Sequence, residues 1–188
     1  MTGLRPSFIL PVLLLQLLLC GRASAQTAAV STNAADWACF GTVNAEASVA
    51  LAQHWTLNAG FRYNPWTFGE CDSVKQDRTR TVSAGTRYWL WNVYSGWWFG
   101  ARAQWEEYNR GGVVSRETEE GDAWGAALSA GYSLMLHRSF NLDFGLGLWG
   151  GYKTYTVYRC PTCGKVTDEG EKWFAAPSDV LISLLFTF

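Results

Sequence analysis

From Phe140 to Tyr155 the chain alternates with a period of two. Phe140, Leu142, Phe144, Leu146, Leu148 and Tyr152 fall on one face, and Asn141, Asp143, Gly145, Gly147, Trp149, Gly151 and Lys153 on the other. Successive side chains of a β-strand point to opposite sides, so this segment predicts a strand with one wholly apolar face. The closing segment repeats the pattern, with Val180, Ile182, Leu184, Phe186 and Phe188 set against Asp179, Leu181, Ser183, Leu185 and Thr187. Four internal segments follow the same rule: Trp55–Tyr63, Val82–Leu90, Trp97–Tyr108 and Trp124–Leu136. Two weaker segments come first, Asn44–Leu51 and Ala28 to about Trp37, which makes eight strands.

Alternation alone does not say which face is inside. The polar face carries Glu46, Arg62, Arg87, Arg102, Glu106, Asp143 and Lys153, mixed with glycines. Three acidic and four basic groups nearly balance, as charges enclosed in a narrow lumen must. The connections also alternate in length. Short turns at Ala52–His54, Trp91–Tyr94 and His137–Ser139 are interleaved with long ones at Asn64–Thr81, Asn109–Gly121 and Thr156–Ser178, which are expected to be extracellular loops. Finally, aromatic residues mark both ends of the apolar face. Trp55, Tyr88, Trp97, Phe140 and Phe188 lie near the short turns, and Tyr63, Trp105, Trp124 and Tyr152 near the long connections, as interfacial aromatics do at the two surfaces of a bilayer. These three patterns together predict an all-β fold, an eight-stranded antiparallel up-and-down transmembrane β-barrel. Lipid cannot satisfy backbone polar groups, so a sheet in that solvent must close on itself.

The ends of the chain agree with this reading. Residues 1–25 run from Arg5 through an apolar stretch at Phe8–Leu19 to Ala23-Ser24-Ala25, the order of a secretory signal peptide cleaved after Ala25. Residues 26–188 then form one barrel domain in the bacterial outer membrane, with both termini of the mature chain periplasmic. The aromatic end Phe186-Thr187-Phe188 resembles the signal that barrel-assembly machinery reads during insertion. Beyond the leader no stretch offers 18 consecutive apolar residues, which excludes a helical membrane protein. Removing Arg5 and Arg22 leaves 13 basic against 16 acidic residues, and nothing suggests a nucleic-acid partner.

Few residues suggest chemistry. Cys39, Cys71, Cys160 and Cys163 remain after processing, all at the long-connection end, as a candidate disulfide or thiol cluster. A zinc site would need a second Cys-x-x-Cys, so no metal or cofactor is expected. The two histidines, His54 and His137, fall in short turns and read as surface residues, far from where a lipid-modifying enzyme would need its base. The acidic run Glu117–Asp122 and Asp179 read as solvated loop charges, and Tyr63–Phe68 as an interfacial anchor followed by a turn begun by Asn-Pro.

Several phrases occur together: Ser31-Thr32-Asn33, Tyr63-Asn64-Pro65-Trp66-Thr67-Phe68, Arg87-Tyr88-Trp89, Cys160-Pro161-Thr162-Cys163-Gly164-Lys165 and Ile182-Ser183-Leu184. The combination resembles small outer-membrane proteins of Bacteroidetes grouped as domain-of-unknown-function family 3575, with the likeness running from about Val30 to Phe188. The resemblance implies a compact barrel at the cell surface and brings no activity or site residues. Gly85 departs from the pattern, standing where a carboxylate is expected before Arg-Tyr-Trp. The expected function is a non-enzymatic, structural or surface-docking role among outer-membrane lipid, with a surface protein complex as candidate partner. The alternatives are an outer-leaflet lipid-modifying enzyme and a narrow channel.

Overall fold

A computed structural model describes residues 27–69, 74–112, 117–159 and 164–188, with the side chains of 178 and 179 set aside. Residues 1–26, Cys71, Cys160 and Cys163 lie outside the described residues, and with them the expected signal-peptide cleavage and the candidate cysteine cluster. Among the described residues nine strands and one short helix follow in order: β1 (Ala28–Asn33), α1 (Ala34–Ala38), β2 (Val43–Ala52), β3 (Trp55–Asn64), β4 (Thr67–Phe68), β5 (Lys75–Trp89), β6 (Gly96–Gly111), β7 (Thr118–His137), β8 (Phe140–Tyr158) and β9 (Val166–Thr187). Every pairing is antiparallel between chain neighbours, β3 skips the two-residue β4 to pair with β5, and β1 pairs with β9. The result is a closed up-and-down ring of eight strands, with β4 an appendage on β5.

Register sets the tilt. The paired residues can be followed once around the ring, from Leu185 through Ser31, Glu46, Gly60, Ser83, Gln104, Gly125 and Gly151. The path returns to β9 at Phe174, eleven residues from its start. One of those residues belongs to the bulge opposite Gly147 and Leu148. A stagger of this size in eight strands inclines them by about 40° to the ring axis.

The faces follow the alternation. Leu128, Leu146 and Leu148 are 65, 68 and 67% exposed on the outside, whereas Arg87, Glu106 and Asp143 inside are 9, 5 and 2% exposed. Trp55, Tyr88, Trp97, Phe140 and Phe188 are exposed on the outer face toward the short turns, and Tyr63, Trp105 and Trp124 toward the other end, with Tyr152 half-buried beside them. Many of these rings touch across strands, as in Trp55–Tyr88, Trp97–Tyr132, Trp124–Tyr152 and Phe140–Phe186.

Two expectations need correction. The first strand does not run to Trp37. It stops at Asn33, whose side chain accepts from Ala35 N and so caps α1 in the manner of an N-cap, and the Ala-rich segment that follows turns into helix. The same Asn33 closes the fork where β1 leaves β9, accepting from Ile182 N at 2.9 Å and donating to Val180 O at 3.2 Å. The long loops are also mostly strand. β5 begins at Lys75, β6 runs to Gly111, β7 starts at Thr118, and β8 and β9 reach Tyr158 and Val166. Above the upper aromatic ring both faces of the sheet are polar, so the strand continues while its hydropathy signal vanishes.

Candidate functional site: the lumen and its rim

The lumen is closed at the short-turn end by aromatic rings. The connection between β5 and β6 turns at Tyr94, whose positive φ of 63° sends the side chain back into the ring. Tyr94, Trp89 and Trp98 are each almost wholly buried and form one cluster with Ala29, Leu181 and Leu185. Tyr94 packs edge-on to Trp89 at 5.7 Å, and Trp89 lies 6.3 Å from Trp98. Polar atoms lock the plug. Asn141 Nδ2 and Ser133 Oγ donate to Tyr94 O at 2.6 and 3.2 Å, and Trp89 Nε1 donates to Thr56 Oγ1 at 3.2 Å. The space for the Trp98 indole comes from Gly131 and Gly145, where an added Cβ would sit 2.5 and 3.0 Å from the ring. In the sequence, residues 91–94 read as an ordinary turn, and nothing in an isolated tyrosine marks it as a plug.

Above the plug sits Arg87. Its guanidinium bridges Glu46 at 2.6 Å and Asp143 at 3.4 Å, and lies 4.4 Å over the Trp98 ring. Asn58 donates to Glu46 at 3.0 Å. Gly85 explains itself here, because a Cβ at that position would lie 2.3 Å from Ala101 O and 2.5 Å from Arg102 Cα. No carboxylate fits between β5 and β6, and Arg87 draws its counter-charges from β2 and β8 instead. Arg102 donates to Gln104 at 3.1 Å. The voids at this level are about 30 and 20 Å³, each the size of one water.

The remaining predicted lumen charges do not join that cluster. Arg62 pairs at 3.2 Å with Asp36, which α1 holds over the ring on the β1–β3 side. Glu106 pairs with Arg110 at 2.8 Å and accepts from Thr81 at 3.4 Å. Lys153 pairs with Glu119 at 2.5 Å. The seven residues therefore form separate groups at different heights, completed by Asp36, Arg110 and Glu119, which the sequence reading missed. Arg110 was legible in principle, since it lies four residues from Glu106 and so on the same strand face.

Most of the acidic run lies on β7 and not in a loop, with Glu117 and Asp122 exposed and Glu119 and Glu120 half-buried. Glu119 accepts from Lys153 and from Tyr108 at 2.8 Å. Burial pushes its carboxyl up, but the hydrogen bonds from Lys153 and Tyr108 outweigh that and hold it below the usual carboxylate value. Tyr108 is pushed well above the usual phenol range by burial and by Glu119, so it remains a neutral donor. The Asn64-Pro65-Trp66 phrase folds as a turn pinned to the neighbouring connection. Asn64 Oδ1 accepts from Trp66 N, Asn64 Nδ2 donates to Thr42 Oγ1 at 3.1 Å, and Trp66 Nε1 donates to Gly41 O at 3.2 Å.

Cys39 is exposed just after α1. His54 is half-buried in its turn, its Nδ1 2.9 Å from Trp89 O, and His137 is exposed at the end of β7. Among the described residues no three His, Cys, Asp or Glu side chains converge as a metal site would require.

These features define a class: a small antiparallel β-barrel with an ion-paired, aromatic-plugged lumen and an apolar outer wall. The chain belongs to the family described as protein of unknown function (DUF3575), whose model matches residues 11–188. No curated protein and no solved structure matches it.

Proposed function

We propose that this is a bacterial outer-membrane barrel with a non-enzymatic role, structural or as a surface dock. The observation that carries this reading is the reversed polarity of the ring, with exposed leucine, valine and phenylalanine outside and Arg87, Glu46 and Asp143 within. A soluble protein rarely exposes so continuous an apolar surface, and hydrocarbon is the solvent in which such a wall is stable. The two aromatic rings support the same solvent. Trp55 to Tyr63 and Phe140 to Tyr152, tilted by about 40°, would span roughly 20 to 30 Å, the thickness of a hydrocarbon core.

On this reading both mature termini lie on the periplasmic side with the short turns, and the polar extensions of β5 to β9 rise into the extracellular medium. Barrel-assembly machinery is the partner during insertion, and the raised polar wall is the surface offered to another protein. The test is photocrosslinking from the wall. A photoreactive phenylalanine analogue at Leu184, which points outward, should label acyl chains in liposomes, and the same probe at Leu185, buried inside, should not. A monomer that stays in a detergent-free supernatant and yields no lipid adduct from position 184 overturns the proposal.

A further inference from the structure

The outer wall carries a second feature, just above the upper aromatic ring. A groove of about 520 Å³ opens there, lined by residues of β3, β5, β6, β7 and β8 and by Pro65. Its outward positions follow the register in two rows. Tyr63, Arg80, Glu107 and Asp122 lie one step above Trp105 and Trp124, and Arg78, Asn109 and Glu120 lie one step higher. Thr154 and Thr156 close the far side on β8.

The groove is built, and its charges are only partly used. Glu120 is fixed as a floor by Asn109 Nδ2 at 2.8 Å and Tyr158 OH at 2.5 Å. Arg80 lies 6.0 Å over the Tyr63 ring and makes one long ion-pair contact of 3.5 Å to Glu107, with both charged side chains more than half exposed. Arg78 and the Asp122 carboxylate form no ion pair among the described residues. Two arginines thus stand at the β5 side, while carboxylates, an amide and hydroxyls extend across to β8. Guanidinium groups take phosphate oxygens, and carboxylate and amide oxygens take sugar hydroxyls. Three strand spacings measure about 14 Å, roughly two sugar rings.

We infer that this groove binds the phosphorylated sugar headgroup of a glycolipid in the surrounding leaflet, with phosphate on Arg78 and Arg80 and sugar hydroxyls on Glu107, Glu120 and Asp122. The inference rests on the membrane reading, because the belt of Trp105, Trp124 and Tyr152 directly below would seat acyl chains against the same wall and leave their headgroup at this height. A soluble saccharide would share the headgroup chemistry but would have no use for that belt.

The experiment uses the intact mature protein in nanodiscs, with retained lipid read by native mass spectrometry. Separate preparations contain lipid A (a bis-phosphorylated diglucosamine glycolipid), dephosphorylated lipid A, or phosphatidylglycerol at matched charge. Lipid A should be retained in preference to both others, and an Arg78→Ala/Arg80→Ala double variant should lose about tenfold in retention. Arg138→Ala, at the opposite rim, should change nothing, and raising salt should weaken retention in the wild type. Insertion itself is scored separately by heat-modified gel mobility. A barrel that inserts but holds phosphatidylglycerol as well as lipid A, or whose double variant inserts and retains lipid A unchanged, overturns the inference while the membrane reading stands. Displacement of lipid A by equimolar water-soluble phosphorylated diglucosamine overturns the lipid as source. Failure to insert overturns both readings.

Discussion

The two ends of the lumen are closed by different physics. At the short-turn end, Trp89, Tyr94 and Trp98 fill the cross-section with rings, and the backbone carbonyl of Tyr94 is tied to β7 and β8. At the other end two separate groups are held by charge-assisted hydrogen bonds, Lys153 and Tyr108 on Glu119, and Arg110 on Glu106, with Arg110 half exposed. Arg87 stands between them, sharing Trp98 with the plug and carboxylates with the ionic half. Buried rings hold their place against any change of pH or salt, whereas paired charges near water do not. The base of this barrel is therefore its rigid part, and its mouth the part that conditions can loosen.

The largest effect is expected at the plug. Trp98→Ala leaves Gly131 and Gly145 facing empty space and should cost about 3–5 kcal/mol, read as a lower urea midpoint in detergent. The same variant should pass a steady current across a planar bilayer where the wild type passes none. A conducting wild type would show that the plug does not close the lumen.

Next comes Arg87→Leu, which strands Glu46 and Asp143 inside. Removing one partner of a buried ion group costs about 3–5 kcal/mol, toward the lower end here because Glu46 retains Asn58 and some exposure. An unchanged midpoint would mean that Arg87 does not carry the charge balance of the lumen. Asn33→Ala should cost about 1–2 kcal/mol, since it removes the cap of α1 and the clamp at the β1–β9 fork together. Hydrogen exchange at the amide of Ile182 should accelerate specifically. Uniform acceleration around the ring would deny Asn33 its local role.

The smallest effect is the one that distinguishes the mouth from the base. The carboxyl of Glu119 is held below its ordinary value, so its contribution is present in full above pH of about 4.5 and is lost as pH falls through the lower folded value. Acidification should lower the melting temperature in that range, and Glu119→Gln should flatten this part of the profile while leaving Trp98→Ala as damaging as before. A profile identical in wild type and Glu119→Gln would place the acid sensitivity elsewhere.

Most of the fold was legible in the chain because its physics is local. Period-two alternation names the strands and their faces, antiparallel pairing of neighbours follows from short connections, and the eight strands and their outward aromatics are where the pattern puts them. Legibility ended where both faces are polar, as at 75–81, 118–123 and 167–172, because polar-on-polar alternation leaves no contrast to read. It also ended at α1, where Asn33 offered the cap but one turn of helix is too short to show a period.

Partnership, in contrast, is a matter of register. Glu46 and Arg87 lie far apart in the chain, Asp143 farther still, and only the closing of the ring with its stagger brings them to one height. The same registration sets Ala47, Ala59, Ala84, Ala103, Ala126, Gly150 and Ala175 side by side in one oblique row on the outer wall, unseen in any single segment. Side-chain alternation by itself determined that this chain makes strands with one apolar and one polar face. The closed tertiary structure decided which charges meet, that a turn tyrosine becomes a plug, and where a groove opens above the aromatic belt. The reason is that hydropathy is a property of each residue, whereas contact depends on the tilt and stagger of all eight strands together.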